Sequence, residues 1–249
     1  MTELNVKIAD ELFTLRISLP RAAARFKEFQ TEQTGGTVLQ PTEAQTERIR
    51  SLLHEKVVRE GCAPEEAKIN PAQAEFLALH ELIARTLVSR GILLVHGAAV
   101  VAEGSAVLFI APSGTGKSTH TALWTKTFGE RVFIINDDKQ LLRIGSDGVI
   151  TTYATPWGCI HPVPAVRQAP LQVMVWLERG ENSICPVTQK QFFPHLFKAS
   201  LEGRTPAETV AILELQTALL RSVRLYHMTC TPTPEAAQMA YRAIAEAQK

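Results

Sequence analysis

The segment Ala111-Pro112-Ser113-Gly114-Thr115-Gly116-Lys117-Ser118-Thr119 follows the apolar run AVLFI and precedes a stretch that reads as a helix ending at Gly129. Strand, glycine-rich turn and helix in that order form the context an anion-binding loop needs. Glycines let consecutive backbone N–H groups converge on one anion, and the helix adds the positive end of its dipole. In such a loop Lys117 reaches the outer phosphates of a nucleotide and the Ser118 hydroxyl takes one position on Mg²⁺. The candidate nucleotide-binding residues are Pro112, Ser113, Gly114, Thr115, Gly116, Lys117, Ser118 and Thr119. Ala111 stands where such loops usually open with glycine, which fits only if that residue avoids a positive φ. A glycine-rich surface turn with a solvated lysine is the bland alternative, and it gives no reason for the flanking strand and helix.

About 20 residues beyond Lys117, the run RVFII ends in Asn136-Asp137-Asp138. An apolar strand ending in acids beside a phosphate loop supplies what phosphoryl transfer requires: one carboxylate for Mg²⁺ and one to accept the proton of an attacking hydroxyl. Neighbouring acids also repel, which raises the proton affinity of one of them. Asp138, with Ser118, is the candidate metal ligand, and Asp137 and Asp138 are both candidate bases. Their roles stay interchangeable at this level. His96, inside ILLVHGAAVV, reads on its own as a satisfied core histidine.

The chain has 249 residues, a net charge of +1, 45% hydrophobic and 20% charged residues, which suits a globular protein with a sizeable core. The balanced charge offers no global field for nucleic acid or anionic lipid. Cys62, Cys159, Cys185 and Cys230 are too scattered for a zinc site or a disulfide framework. The charged N-terminus reads as no signal peptide, and the apolar stretch 91–111 is interrupted by His96, Glu103 and Gly104, so it does not read as a membrane span. The expectation is a cytoplasmic protein with neither nucleic acid nor membrane as partner.

Periodicity predicts a hairpin over residues 3–18, a loop over 31–45 and a weakly amphipathic helix over Thr42–Arg59. Asn70-Pro71 opens a well-buried helix that ends near Gly91. Strand patterns follow at ILLVHGAAVVA, AVLFIA, RVFIINDD, QLLRI, VITTYAT, LQVMVWLE and VRLYHMTC, with helices opened by Thr205-Pro206-x-Glu208 and Thr233-Pro234-Glu235. The fold class is α/β, a mixed sheet with flanking helices. Residues 1–70 read as a small N-terminal α+β subregion and 71–249 as the nucleotide-binding domain.

HGAAVV, a hairpin, SGTGKST, a short helix and a strand ending in Asp-Asp together resemble HPr kinase/phosphorylase, whose P-loop fold is shared with ATP-dependent phosphoenolpyruvate carboxykinase. APSGTGKSTHTALW, NDDKQLLR and YATPW are similar to a group of small bacterial HPr-kinase-like proteins, often labelled carboxykinase-like, some of which modify ribosomal peptides. The resemblance covers about residues 70–249 and is specific at 96–157. It implies that His96 assists proton handling near the γ-phosphate, that Lys117 clamps phosphate, that Ser118 binds Mg²⁺ and that Asp137 or Asp138 is the base. It does not extend to phosphorolysis or to HPr as partner. The glutamate-arginine-glycine signature of the bifunctional enzymes is replaced by Tyr153-Ala154-Thr155-Pro156-Trp157-Gly158-Cys159-Ile160-His161, which has no acid.

The implied activity is an ATP- and Mg²⁺-dependent kinase that phosphorylates a hydroxyl on a peptide, a protein or a small alcohol. The alternatives are a slow ATPase that serves as a switch, and a nucleotide-binding scaffold in peptide maturation. A homo-oligomer is compatible with the family habit. Thr155, Trp157 and His161 are candidates for the acceptor side, with a plain loop as the counter-reading. Arg167 reads as a solvated loop arginine, Trp124 as core, and His120 as a residue that faces either core or nucleotide. Lys139 and Arg143 are further cations after the acid pair, and nothing near Cys159 argues for a reactive thiol.

Overall fold

The computed structural model describes residues 1–158 and 163–246. The chain divides into two compact units, Met1–Thr86 and Leu87–Lys249. The division falls inside one long helix.

In the first unit, β1 (Thr2–Ile8) and β2 (Glu11–Ile17) form an antiparallel hairpin, and β3 (Thr37–Leu39) adds in parallel to β2. The turn uses Ala9 and Asp10 at positive φ. A short helix α1 (Pro20–Ala24) follows, then α2 (Glu43–Arg59), whose N-terminus is closed by a capping box between Thr42 and Gln45. The next helix, α3 (Pro71–Val88), starts where Asn70 Oδ1 accepts from the Ala72 N–H at 3.0 Å. Its Glu75 accepts from the backbone N–H groups of Ser18 (2.6 Å) and Leu19 (2.9 Å), and Phe76 packs on Phe26. These contacts tie the first half of α3 to the hairpin. The sequence reading divides the chain at residue 70, where this helix starts, and marks the loop over 31–45 as the best candidate for a boundary.

The second unit holds a nine-stranded mixed sheet. In chain order its strands are β4 (Ile92–His96), β5 (Ala98–Ala102), β6 (Ser105–Ile110), β7 (Val132–Asn136), β8 (Lys139–Ile144), β9 (Ile150–Tyr153), β10 (Gln168–Arg179), β11 (Ser183–Pro186) and β12 (Arg224–Cys230). The spatial order is β4-β8-β9-β10-β6-β5-β7; β12 also pairs with β10, and β11 with β12. β10 runs parallel to β6 and β12, and the other pairings are antiparallel. One face of the sheet carries Leu108, Ile110, Met174 and Leu225 with Phe192 and Leu196 of α5 (Gln189–Ala199) and Ile212 and Leu219 of α6 (Pro206–Ser222). The other carries Phe109, Val173 and Met228 with Trp124 of α4 (Lys117–Phe128) and Ala236, Ala237 and Ala240 of α7 (Pro234–Glu246). Alternating residues of each strand serve the two faces, as a sheet buried on both sides requires.

The mixed α/β architecture with flanking helices matches the class read from sequence. Helix α5 was not anticipated there. Its signal was present, because Thr188 and Gln191 form a capping box, but Pro194 lies inside the helix and masked the pattern. No helix among the described residues is long and apolar enough to cross a membrane.

Candidate active site

β6 leads into the loop 111–116, and α4 starts at Lys117. Gly114 (φ 77°) and Gly116 (φ 118°) occupy the left-handed region, where side chains are strained, so the backbone itself demands glycine at both places. Ala111 is not among the residues with positive φ, which removes the objection to alanine there. Lys117 is only 7% exposed, and its Nζ donates to the carbonyls of Ala111 (2.8 Å) and Pro112 (3.3 Å). Burial lowers its pKa, the nearby Asp138 charge raises it, and Lys139 lowers it again. Ser118 and Thr119 are exposed at the first turn of α4. Arg179, at the end of β10, braces the loop: its Nε donates to Thr115 O at 3.2 Å and its Nη2 to Gly114 O. Nothing in local sequence pattern marks Arg179, because its place beside the loop comes from the parallel pairing of β10 with β6.

The acid pair forms the turn between β7 and β8. Asn136 builds it. Its Oδ1 accepts from the Asp138 N–H at 3.1 Å, and its Nδ2 donates to Lys139 O at 2.9 Å and to Thr155 Oγ1. Thr155 in turn donates to Lys139 O at 2.9 Å. Behind the turn, fully buried Gln140 donates to Asn136 O (2.9 Å) and Gly97 O (3.2 Å) and accepts from Thr152 Oγ1 (3.0 Å). The Gly97 N–H donates to Asp138 O at 2.9 Å. Gly158 packs against the turn so closely that a Cβ there would lie 2.8 Å from Asn136 Oδ1 and 3.1 Å from Asp137 Oδ1. Buried polar groups satisfied this completely fix one geometry.

His96 ends β4 and stands opposite Lys139 in the β4–β8 ladder. Its Nδ1 lies 2.9 Å from Asp138 Oδ1 and 2.7 Å from Lys139 Nζ, and Nζ is 3.1 Å from the same carboxylate oxygen. Burial pushes the Asp138 carboxyl up, but the His96 hydrogen bond and the Lys139 charge outweigh it and hold the group well below the usual carboxylate range. Asp138 therefore stays anionic. His96, which the sequence by itself reads as core, sits in this polar cluster.

A cavity of about 450 Å³ adjoins the glycine loop on the α4 side, lined by Thr115, Gly116, His120, Leu177, Arg179 and Cys230 among others. His120 is 2% exposed; its Nε2 faces Trp124 Nε1 at 3.1 Å and its Nδ1 faces Cys230 Sγ at 3.9 Å. Burial lowers the His120 pKa to about 4. Trp124 is core, as read, packed edge-on to Phe109 and Phe128.

The remaining candidates divide. Thr155 belongs to the turn network and Trp157 is buried beside it. Arg143 is absorbed in the strand ladder opposite Ile92 and Thr151, and Arg167 is exposed. Cys159, Ile160 and His161 lie outside the described residues. Among the described residues no group of three or more His, Cys, Asp or Glu is placed to hold a metal by itself.

No protein-family model matches the chain, and no curated protein matches it in sequence. Among solved structures, the Hpr(Ser) kinase/phosphatase from Coxiella burnetii is similar over 62% of this chain and 95% of that chain, at 10% sequence identity and a TM-score of 0.38.

Proposed function

We propose that this chain is an ATP- and Mg²⁺-dependent P-loop kinase of the HPr-kinase-like type that transfers a γ-phosphate to a hydroxyl of a peptide, a protein or a small alcohol. The observation that carries the reading is the loop itself: Gly114 and Gly116 at positive φ lead into α4, where buried Lys117 bonds the loop carbonyls of Ala111 and Pro112. The same unit holds the Asp138 carboxylate between His96 and Lys139.

The residues present fit a metal-bound nucleotide. Ser118 offers an exposed hydroxyl and Asp138 a carboxylate, both hard oxygen donors suited to Mg²⁺. Two protein ligands are what a Mg²⁺ shared with substrate phosphates needs, since the ion keeps several waters. When bound, the ion neutralises charge on the phosphate oxygens. Lys117 exchanges its loop carbonyls for the β- and γ-phosphates, and the backbone N–H groups around Gly114 and Gly116 cradle them. The acceptor oxygen attacks the γ-phosphorus, the bond from that phosphorus to the β,γ-bridging oxygen breaks, and ADP leaves with the electron pair. The hydroxyl proton passes to a carboxylate. Asp138, held anionic by His96 and Lys139, has little proton affinity, so the base role falls to Asp137 and the metal role to Asp138. The site contributes positioning and charge stabilisation.

The test is single-turnover transfer of labelled γ-phosphate from Mg-ATP to a panel of Ser/Thr peptides and small alcohols, with Lys117→Ala as control. Label that appears on an acceptor and is lost in the control supports the kinase. Label that reaches only water, or nucleotide bound without turnover, rejects it in favour of a switch ATPase or a scaffold.

A further inference from the structure

Strand β10 outruns its neighbour. Its last pair with β6 is Trp176–Ile110, and residues 177–179 continue beside the loop that β6 becomes. On the other side these residues stay paired with β12, as far as Arg179 opposite Cys230, and the Gly180 N–H donates to Cys230 O at 3.3 Å. Arg179 is exposed, and an exposed arginine that only meets another charge contributes little. This one stands on a paired strand end, and its guanidinium grips two successive carbonyls of one turn, through Nε on Thr115 O (3.2 Å) and Nη2 on Gly114 O.

Those two carbonyls decide where two amides point. In a trans peptide unit the C=O and the N–H point in opposite directions. The Gly114 carbonyl shares its unit with the Thr115 N–H, and the Thr115 carbonyl shares the next with the Gly116 N–H. A group that holds both carbonyls on the outside of the turn therefore directs both N–H groups inward. The Thr115 N–H accordingly meets Pro112 O across the turn, at 3.3 Å. The constraint matters because Gly114 and Gly116, both at positive φ, have the widest backbone freedom, and Gly116 opens α4 with no side-chain cap. A bond from a cation to the carbonyl also polarises the unit and strengthens its N–H as a donor.

We infer that Arg179 is a positioning residue for the glycine loop: its planar fork aims the Thr115 and Gly116 amides at the anion without touching the anion itself. The inference rests on the kinase reading only in taking the loop for a phosphate cradle. A lysine at this place keeps the charge and loses the fork, because an ammonium is a point charge whereas guanidinium donors lie in one fixed plane.

Isothermal titration of the full chain with inorganic tripolyphosphate, beside heteronuclear NMR spectra of the anion-free protein, reads affinity and amide direction separately. Arg179→Ala should bind tripolyphosphate about tenfold more weakly and shift the Thr115 and Gly116 amide resonances before any anion is added. Arg179→Lys should bind as weakly as Arg179→Ala. Methylguanidinium should restore binding to Arg179→Ala, and methylammonium at the same concentration should not. Arg179→Ala that binds like the unmodified chain overturns the inference, as does failure of methylguanidinium to rescue it. Full binding by Arg179→Lys, or equal rescue by methylammonium, makes the guanidinium a charge alone and overturns it too. An affinity that falls while both amide resonances stay in place assigns Arg179 to the anion directly, again against the inference. If the unmodified chain binds no tripolyphosphate, the kinase reading and this inference fall together.

Discussion

His96 and Lys139 face one another across the β4–β8 ladder, with His96 Nδ1 2.7 Å from Lys139 Nζ and both within 3.1 Å of Asp138 Oδ1. An ammonium only donates, and a His96 Nδ1–H that donates to Asp138 cannot also accept from Lys139, so both groups serve the same carboxylate oxygen. Lys139→Met removes its bond and a positive charge beside Asp138. Loss of a neighbouring cation raises a carboxyl pKa. The acidic limb of the kcat/KM–pH profile should therefore move to higher pH, with the alkaline limb less affected. An unmoved acidic limb would mean that Lys139 does not hold Asp138 anionic in the folded protein.

The two aspartates should separate kinetically. Under the roles proposed above, Asp137→Asn should lower kcat by roughly 10²–10⁴-fold with nucleotide affinity nearly kept. Under the same roles, Asp138→Asn should raise the Mg²⁺ concentration needed for half-maximal rate by about tenfold or more. Magnesium titrations of initial rate distinguish the two, and identical behaviour of both variants would refute the division of roles.

Gly158→Ala places a methyl 2.8 Å from Asn136 Oδ1 and 3.1 Å from Asp137 Oδ1. The neighbours are the side chains that shape the acid turn. The variant should lose activity by about tenfold or more through displacement of that turn, while thermal denaturation reports a stability loss of only about 1–3 kcal/mol. Unchanged kcat would show that the turn tolerates the shift.

His120 predicts an acid-labile core. Its pKa in the folded chain is about 4, lowered by burial from the ordinary 6.5. Between those values the unfolded chain binds a proton that the folded chain excludes, so stability falls as pH drops from about 6.5 to about 4 and the loss levels off below. The full effect is on the order of 3 kcal/mol. Urea denaturation across that window should show a steeper decline for the unmodified chain than for His120→Phe, and parallel declines would place the proton elsewhere.

Behind the acid turn, Gln140 and Thr152 form a buried pair at 3.0 Å. Gln140→Leu strips the donors from Gly97 O and Asn136 O and should destabilise by about 2–4 kcal/mol. Thr152→Val alone should cost about 1–2 kcal/mol and add little on top of Gln140→Leu, because the bond it removes is already gone. Full additivity in denaturant melts would mean the two do not share a network.

The sequence by itself determined the local elements of this protein and the loop at its centre. Glycines at 114 and 116 between an apolar strand and a helix suffice to specify a tight turn at positive φ leading into the helix, because these are properties of neighbouring residues. Asp137 and Asp138 were legible as strand-end acids for the same reason. Tertiary structure alone decided that His96 and Lys139 share the Asp138 carboxylate, since strand register is set by pairing between distant segments. It also decided that Arg179 braces the loop, and that His120 turns one nitrogen to Trp124 and the other toward a cavity closed by Cys230. Such contacts join residues whose separation along the chain carries no period, and only the packing of the sheet with its helices brings them together.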